Sequence, residues 1–369
     1  MTSILPCNDA LKRGSLEPYQ NKEYLVNNFD LVRLLAAIQV MVFNHYLGHF
    51  KVDTSLHTII FSGVPIFFFL AGIFISMSFS KNNDVFNFFR NRVLKVFPVM
   101  WISIILGFLL LLLSGYVLNV SAFDIIGWLV FYMFYPLYTP DWLRGYGVGT
   151  LNGALWIIPT QLTFYLFAVL FLSFVKKNRS LWIVVLFVIL TAIQLLMQKI
   201  VLPTINIAFF TKVFESSFFV HFPMFLFGMF VYFNFDFFYK ITKNKFWLFF
   251  ILHLGFFCCV YYLLGMQDLS ASATSKTLLR YPFMITMGLF VLSIGYTIPN
   301  LSQKLLRRND ISYCLYVFHM PIANVVLYKF GTGFFNMSLA VFATVSVSIF
   351  VYYFIEKRLL CMKKNTLRG

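Results

Sequence analysis

Charge is what this sequence most lacks. Of its 369 residues only 11% are Asp, Glu, Lys or Arg, against the roughly 25% that keeps the surface of a soluble domain wet. A chain that is 60% hydrophobic and 20% aromatic must turn much of its surface to something other than water, and lipid is the abundant candidate. Cysteine is scarce as well. The five present, Cys7, Cys258, Cys259, Cys314 and Cys361, sit mostly in apolar runs with no metal-ligand or disulfide spacing, so they read as small buried hydrophobes. Also missing is a basic start that runs straight into an apolar core and a small-residue cleavage site, so no cleaved signal peptide is expected in the polar first 28 residues. Acidic residues are few, and the formal charge is +16. That excess does not indicate nucleic acid, because the cations punctuate apolar stretches.

Those stretches are what the sequence has in abundance. A helix needs about 20 apolar residues to cross a hydrocarbon core about 30 Å thick. Ten segments meet that test: 30–50, 58–79, 97–117, 153–175, 180–198, 217–235, 246–265, 279–298, 311–329 and 335–356. Barrel strands would be about ten residues long with alternating polarity, so these are helices. The expected fold is an all-α, polytopic transmembrane helix bundle. Twenty-one of the 29 basic residues fall on the side of the two termini and seven on the other, Arg33 lying within the first span. By the positive-inside rule both termini are cytoplasmic. An even number of spans follows independently. Residues 29–358 form one membrane domain, with cytoplasmic tails at 1–28 and 359–369.

Two stretches between spans stand out. Residues 84–96 (DVFNFFRNRVLKV) alternate apolar and basic positions in the rhythm of an amphipathic helix lying on the cytoplasmic interface. The loop 118–152, the longest on the outer side, carries Trp128, Tyr132, Tyr135, Tyr138, Trp142 and Tyr146, aromatics that favour a membrane interface and could also stack on sugar rings.

Ionisable groups within a bilayer are costly and usually face a cavity or a partner. Here they are Asp30, Arg33, His45, His221, His253 and His319. At 100° per residue Asp30, Arg33, Asn44 and His45 share an arc of about 120°, with Gln39 opposite. His45 lies about 18 Å beyond Arg33, toward the outer half. From residue types alone, Asp30 and Arg33 fit a structural ion pair and His45 a satisfied core histidine. An imidazole is nonetheless the natural base for deprotonating a hydroxyl near neutral pH.

The segment FDLVRLLAAIQVMVFNH (Phe29 to His45) resembles the first-helix signature of the membrane acyltransferase 3 family, an Asp and an Arg ahead of a histidine. GVPIFFFLAG (Gly63 to Gly72) is similar to its second-helix motif, and VFP (Val96 to Pro98) to the close of its basic segment. LWIIPTQLTFYL (Leu155 to Leu166) resembles its Trp-led motif, SYCLYVFHMPI (Ser312 to Ile322) its Ser-Tyr and His-Pro motif, and Glu356 a late glutamate. The resemblance runs in order over nearly the whole chain.

It implies transfer of an acyl group, usually from cytoplasmic acetyl-CoA, to a saccharide or lipid-linked saccharide in the bacterial inner membrane. His45 would be the catalytic base, with Asp30 and Arg33 shaping the polar path. Arg90, Arg92 and Lys95 would hold the donor's phosphates, though Lys95 stands where the family has a second arginine and lacks its planar fork. Asn44, Trp156, Gln161, Tyr165, Ser312, Tyr313, His319 and Glu356 would line the site. Gln161 departs from the pattern, since many members carry a glutamate there and an amide cannot act as a base. His221 and His253 read as core. No metal and no nucleic acid are expected, and the acceptor sugar and oligomeric state are not in the sequence. A transporter of lipid-linked sugars or a membrane glycosyltransferase would also have many spans. The first usually lines its path with charges on several helices, and metal-dependent members of the second need acidic groups in outward loops, where the first offers only Asp53.

Overall fold

The computed structural model describes residues 27–52, 62–201, 204, 218–263, 274–298, 300–307 and 309–359. Most of the predicted tails 1–28 and 359–369, Asp53, and parts of the second, sixth and seventh predicted spans lie outside these. Among the described residues there is no strand, and every one of the ten predicted segments is helical. We number the helices α1 (Phe29–His49), α2 (Gly63–Asn82), α3 (Val85–Leu113), α4 (Ala122–Phe134), α5 (Gly153–Phe174), α6 (Arg179–Val201), α7 (Phe218–Phe233), α8 (Phe235–Thr242), α9 (Phe246–Cys258), α10 (Thr274–Tyr296), α11 (Leu301–Leu306), α12 (Ser312–Phe330) and α13 (Phe334–Val351). The chain is an all-α, multi-pass membrane protein. Seven of the described helices (α1, α2, α3, α5, α6, α10 and α13) are long and apolar enough to cross a membrane, and an eighth span is reached if α7 and α8, bent by 94° at their junction, count as one.

Two compact units divide the chain. One comprises residues 27–83 and 156–312, the other the described parts of 84–155 and 313–369. In the first, the glycines of the second-helix motif set the packing. A Cβ on Gly72 would strike Phe225 O and lie 2.9 Å from the Cα of Gly228, so α2 and α7 touch backbone to backbone, as small residues allow in a bilayer that offers no hydrophobic force between helices. Gly63 serves the same purpose between α2 and α1, where a Cβ would strike Ala36 O and sit 2.7 Å from Val40 Cγ2. Asn28 ties the start of α1 to the end of α10, its N–H and side-chain amide donating to Gly295 O (2.9 Å) and Ile298 O (3.0 Å).

Prolines inside helices leave a carbonyl four residues earlier without its N–H partner, and each unit supplies a side-chain amide for one of them. Pro223 of α7 strands Phe219 O, which accepts from Gln194 Nε2 of α6; Tyr281 of α10 in turn donates to Gln194 Oε1 at 2.6 Å. In the second unit Pro321 of α12 strands Val317 O, which accepts from Asn152 Nδ2 at 2.9 Å.

Residues 84–96, expected as a separate interface helix, are instead the first turns of α3, a single helix of 29 residues. Asp84 starts it by accepting the Asn87 backbone N–H at 3.0 Å. No glycine or proline stops it before Pro98, which costs only one hydrogen bond in passing. At 1.5 Å per residue α3 is about 43 Å long, more than the roughly 30 Å hydrocarbon core. The loop 118–152 is also more ordered than an aromatic girdle. It contains α4, it buries Trp128, Tyr132 and Tyr146, and it is pinned to α12 by Asn324, which accepts from Val148 N (2.9 Å) and donates to Thr150 O (2.7 Å). Gly147 sits against Asn324 with φ +55° and leaves no room for a side chain.

Candidate active site

The first unit carries the residues of the first-helix motif. Residues Val40–Tyr46 of α1 are π-helical, so the chain makes i to i+5 bonds there, a geometry rare in proteins and frequent at functional sites. The wider turn brings Gln39 to the side of Asn44 rather than opposite it. Gln39 Nε2 donates to Asn44 Oδ1 at 2.9 Å, and Gln39 Oε1 accepts from Gly63 N at 2.7 Å. This corrects the sequence-based placement of Gln39, which assumed 100° per residue throughout.

His45 lies in the same turn, half-buried, its ring hydrogen-bonded to the backbone of Val40. An imidazole held through one nitrogen presents the other in a fixed direction. His49, also half-buried, stacks beside it with ring centroids 6.0 Å apart and planes within 2° of parallel. His49 is absent from the sequence-based candidates, although its four-residue spacing from His45 put both on one face of the helix.

Asp30 and Arg33 form an ion pair at 3.2 Å near the start of α1. Arg33 also reaches Asp310 at 3.4 Å and lies 4.5 Å over the Phe74 ring. Asp310 accepts from both the backbone N–H and the hydroxyl of Ser312. So Ser312 joins Asp30 and Arg33 through a carboxylate that the sequence reading missed, and whose only signal was a short acidic residue just before a helix. Trp156 packs on His221 with centroids 5.1 Å apart, and Phe68 on another side of the same imidazole at 5.2 Å. The His221 Nδ1 atom is buried without a hydrogen-bond partner. Gln161 is half-buried and Tyr165 buried on α5. His253 is fully buried and 3.0 Å from the Thr286 hydroxyl, a core position as expected.

The second unit holds the remaining candidates. Arg90, Arg92 and Lys95 stand on the first turns of α3, where Arg92 and Lys95, three residues apart, share a face and Arg90 points well away from both. Arg92 lies 5.2 Å over the Phe88 ring, and Arg90 Nε is buried with no hydrogen-bond partner. Asp84, just ahead of them, has its carboxyl held below the usual range, first by the Asn87 backbone N–H and then by its side chain. Tyr313 donates to Val96 O at 2.8 Å and so links the Ser-Tyr and VFP motifs directly. His319 is fully buried, with Nδ1 2.6 Å from Tyr316 O, a contact in which Nδ1–H donates. Glu356 is buried in one of three further π-helical turns among the described residues, Tyr352–Glu356, the others being Met197–Val201 and Cys259–Leu263, and Cys314 Sγ lies 3.0 Å from its Oε2. Cys314 is thus more than apolar filling.

A family model described as an acyltransferase domain matches residues 26–356. The chain belongs to the membrane acyltransferase 3 family. Among curated proteins it is 27% identical over 320 residues to nodulation protein 10 of Rhizobium leguminosarum bv. viciae, covering 82% of this chain and 84% of that one. It is 24% identical over 166 residues to an O-acetyl transferase of Shigella phage Sf6, 43% of this chain and 50% of the relative. No solved structure matches. This acyltransferase 3 member is therefore an enzyme, a membrane O-acyltransferase.

Proposed function

We propose that this acyltransferase moves an acetyl group from cytoplasmic acetyl-CoA to a hydroxyl of a cell-surface or lipid-linked saccharide, with His45 as the base. The bacterial cytoplasmic membrane is its location, with both termini on the cytoplasmic side. The observation that carries this reading is the π-helical turn of α1, which holds a half-buried imidazole beside Asn44 and His49 within a span otherwise apolar around it. An O-acetyl transferase among the relatives supports acetyl as the group moved.

In the reaction His45 takes the proton as the acceptor O–H bond breaks. The oxygen forms a bond to the thioester carbonyl carbon, the C–S bond breaks, and CoA leaves as a thiolate that is then protonated. Arg92 and Lys95, which share a face of α3, have the charge to hold the phosphates of CoA, and Arg90 adds positive charge from another face of the same turns. Asp30 and Arg33 act as a polar anchor that fixes the start of α1. Trp156, Gln161, Tyr165 and Asn44 suit contacts to a polyhydroxylated acceptor, and Gln161 does so as an amide, without proton transfer. Ser312 holds Arg33 in place through Asp310, and Tyr313, His319 and Glu356 are the remaining residues that the resemblance assigns to the lining.

The test is CoA-dependent acetyl transfer in membranes carrying His45→Ala at wild-type abundance. Loss of a general base costs about 10²–10⁴-fold in rate. Wild-type turnover in a folded His45→Ala protein overturns the proposal.

A further inference from the structure

The first unit contains a cavity of about 310 Å³ bounded by α6, α7, α8 and α10. Its walls include Ile183, Phe187, Leu226, Phe230, Phe238 and Met284, and its surface is wholly apolar. The polar groups nearest to it are committed elsewhere. Tyr281 and Pro223 both line the cavity, yet the Tyr281 hydroxyl is turned to Gln194, and Gln194 also takes up the carbonyl that Pro223 strands. A space with no polar partner stays dry, and one half this size, about 150 Å³, already admits benzene. By that measure this cavity has room for a chain of roughly ten carbons.

Its setting identifies what fills it. The rim residues Val184 and Ile285 are 45% and 43% exposed, and they stand on α6 and α10, both long and apolar enough to span the membrane. What meets that rim is hydrocarbon. One wall is Phe238 of α8, which leaves α7 at 94° and buries Phe235, Phe238, Tyr239 and Thr242 along one face. Asp236, Phe237 and Lys240 are exposed on the other. That is the pattern of a helix lying in the membrane interface at the depth of lipid heads, with an exposed cation suited to an anionic phosphate.

We infer that this cavity is a binding site for one acyl chain of a membrane phospholipid whose head rests beside α8. The site does not depend on the identity of the reaction.

The experiment uses the full-length protein in nanodiscs containing a phosphatidylethanolamine with a diazirine near the end of one acyl chain, with labelled peptides mapped after irradiation. Labelling at residues 183–187, 226–230 and 284–285 should exceed that on lipid-facing Leu109, Leu112 and Phe342, which are all exposed, by about threefold or more. Ile285→Trp, which fills the mouth from an exposed position, should remove the excess and leave the background. Val184→Trp on the opposite rim does the same if Ile285→Trp does not fold. The inference is overturned by labelling no greater than background, by an excess that survives both substitutions, or by an excess seen with an isoprenoid diazirine probe and not with the phospholipid.

Discussion

Adding a single methyl group at Gly63 should damage catalysis far more than its distance from any reacting atom suggests. A Cβ at position 63 would strike Ala36 O and fall 2.7 Å from Val40 Cγ2 and 2.8 Å from Gln39 Oε1. None of these can simply swing away. Ala36 O is backbone, Val40 opens the π-helical turn, and Gln39 Oε1 is already accepting from Gly63 N at 2.7 Å while its amide holds Asn44. Relief therefore needs α2 to back off α1 by close to an ångström, or Gln39 to release its bond. Overpacking of this kind costs about 1–3 kcal/mol, and the lost hydrogen bond about 0.5–1.5 kcal/mol, so Gly63→Ala should lose roughly 2–4 kcal/mol of stability. Activity should fall further, because the displaced turn carries His45 and a shift of about 1 Å can cost about 100-fold in rate. Gly72→Ala provides the comparison. Its clash is with α7 and not with the π-helical turn, so it should destabilise by a similar amount yet retain most of its activity per folded molecule. Thermal unfolding in detergent together with acetyl transfer normalised to folded protein measures both. A Gly63→Ala enzyme within twofold of wild type in rate, with an unchanged melting temperature, would refute the argument that this glycine sets the geometry of the His45 turn.

Two further outcomes are expected. Asn152→Ala should cost about 1–3 kcal/mol by leaving Val317 O buried without a donor, and Pro321→Ala in the same protein should recover much of it, because an alanine N–H can bond that carbonyl from within α12; chemical denaturation of the single and double variants tests the cycle. Tyr146, buried beside Tyr116 and Tyr328, has its phenol pushed by burial from 10.0 up to about 12. A raised folded value means stability fully present below pH 10 and lost as pH rises toward 12, since only the unfolded chain releases the proton in that window. Tyr146→Phe should flatten that part of an alkaline unfolding curve, and an unchanged curve would count against it.

The helices were legible in the sequence because bilayer thickness is a hard length standard: among the described residues every predicted segment is helical, and apart from the early start of α3 at Val85 most ends differ by a few residues, while seven or eight of these helices are long and apolar enough to span. The places where the reading went astray share one cause. Gln39 was set opposite Asn44, and residues 84–96 were parted from α3, by treating each stretch as a uniform unit, regular helix in one case and interface segment in the other. A π-helical turn adds a residue without any marker in composition, and Pro98 looks like a boundary although a single lost hydrogen bond does not end a helix of 29 residues. His49 was legible in its spacing. Asp310 and Cys314 were not, because their partners, Arg33 and Glu356, lie 277 and 42 residues away.

That contrast bears on how the motifs are to be understood. Several of their residues meet requirements of the backbone, whatever else they touch. Gly63 and Gly72 permit helix contact, Tyr313 bonds the carbonyl of Val96, and Ser312 and Asp310 hold Arg33 in place. Such roles alone would keep an order of motifs recognisable. His45 differs from them: it is half-buried, its ring is oriented by Val40, and it lies in a π-helical turn. Turns of that kind are rare in proteins and frequent at functional sites. Here Gly63 and Gln39 hold the turn from α2, which is why a methyl group at Gly63, on a neighbouring helix and outside the reaction itself, is the most informative substitution to make.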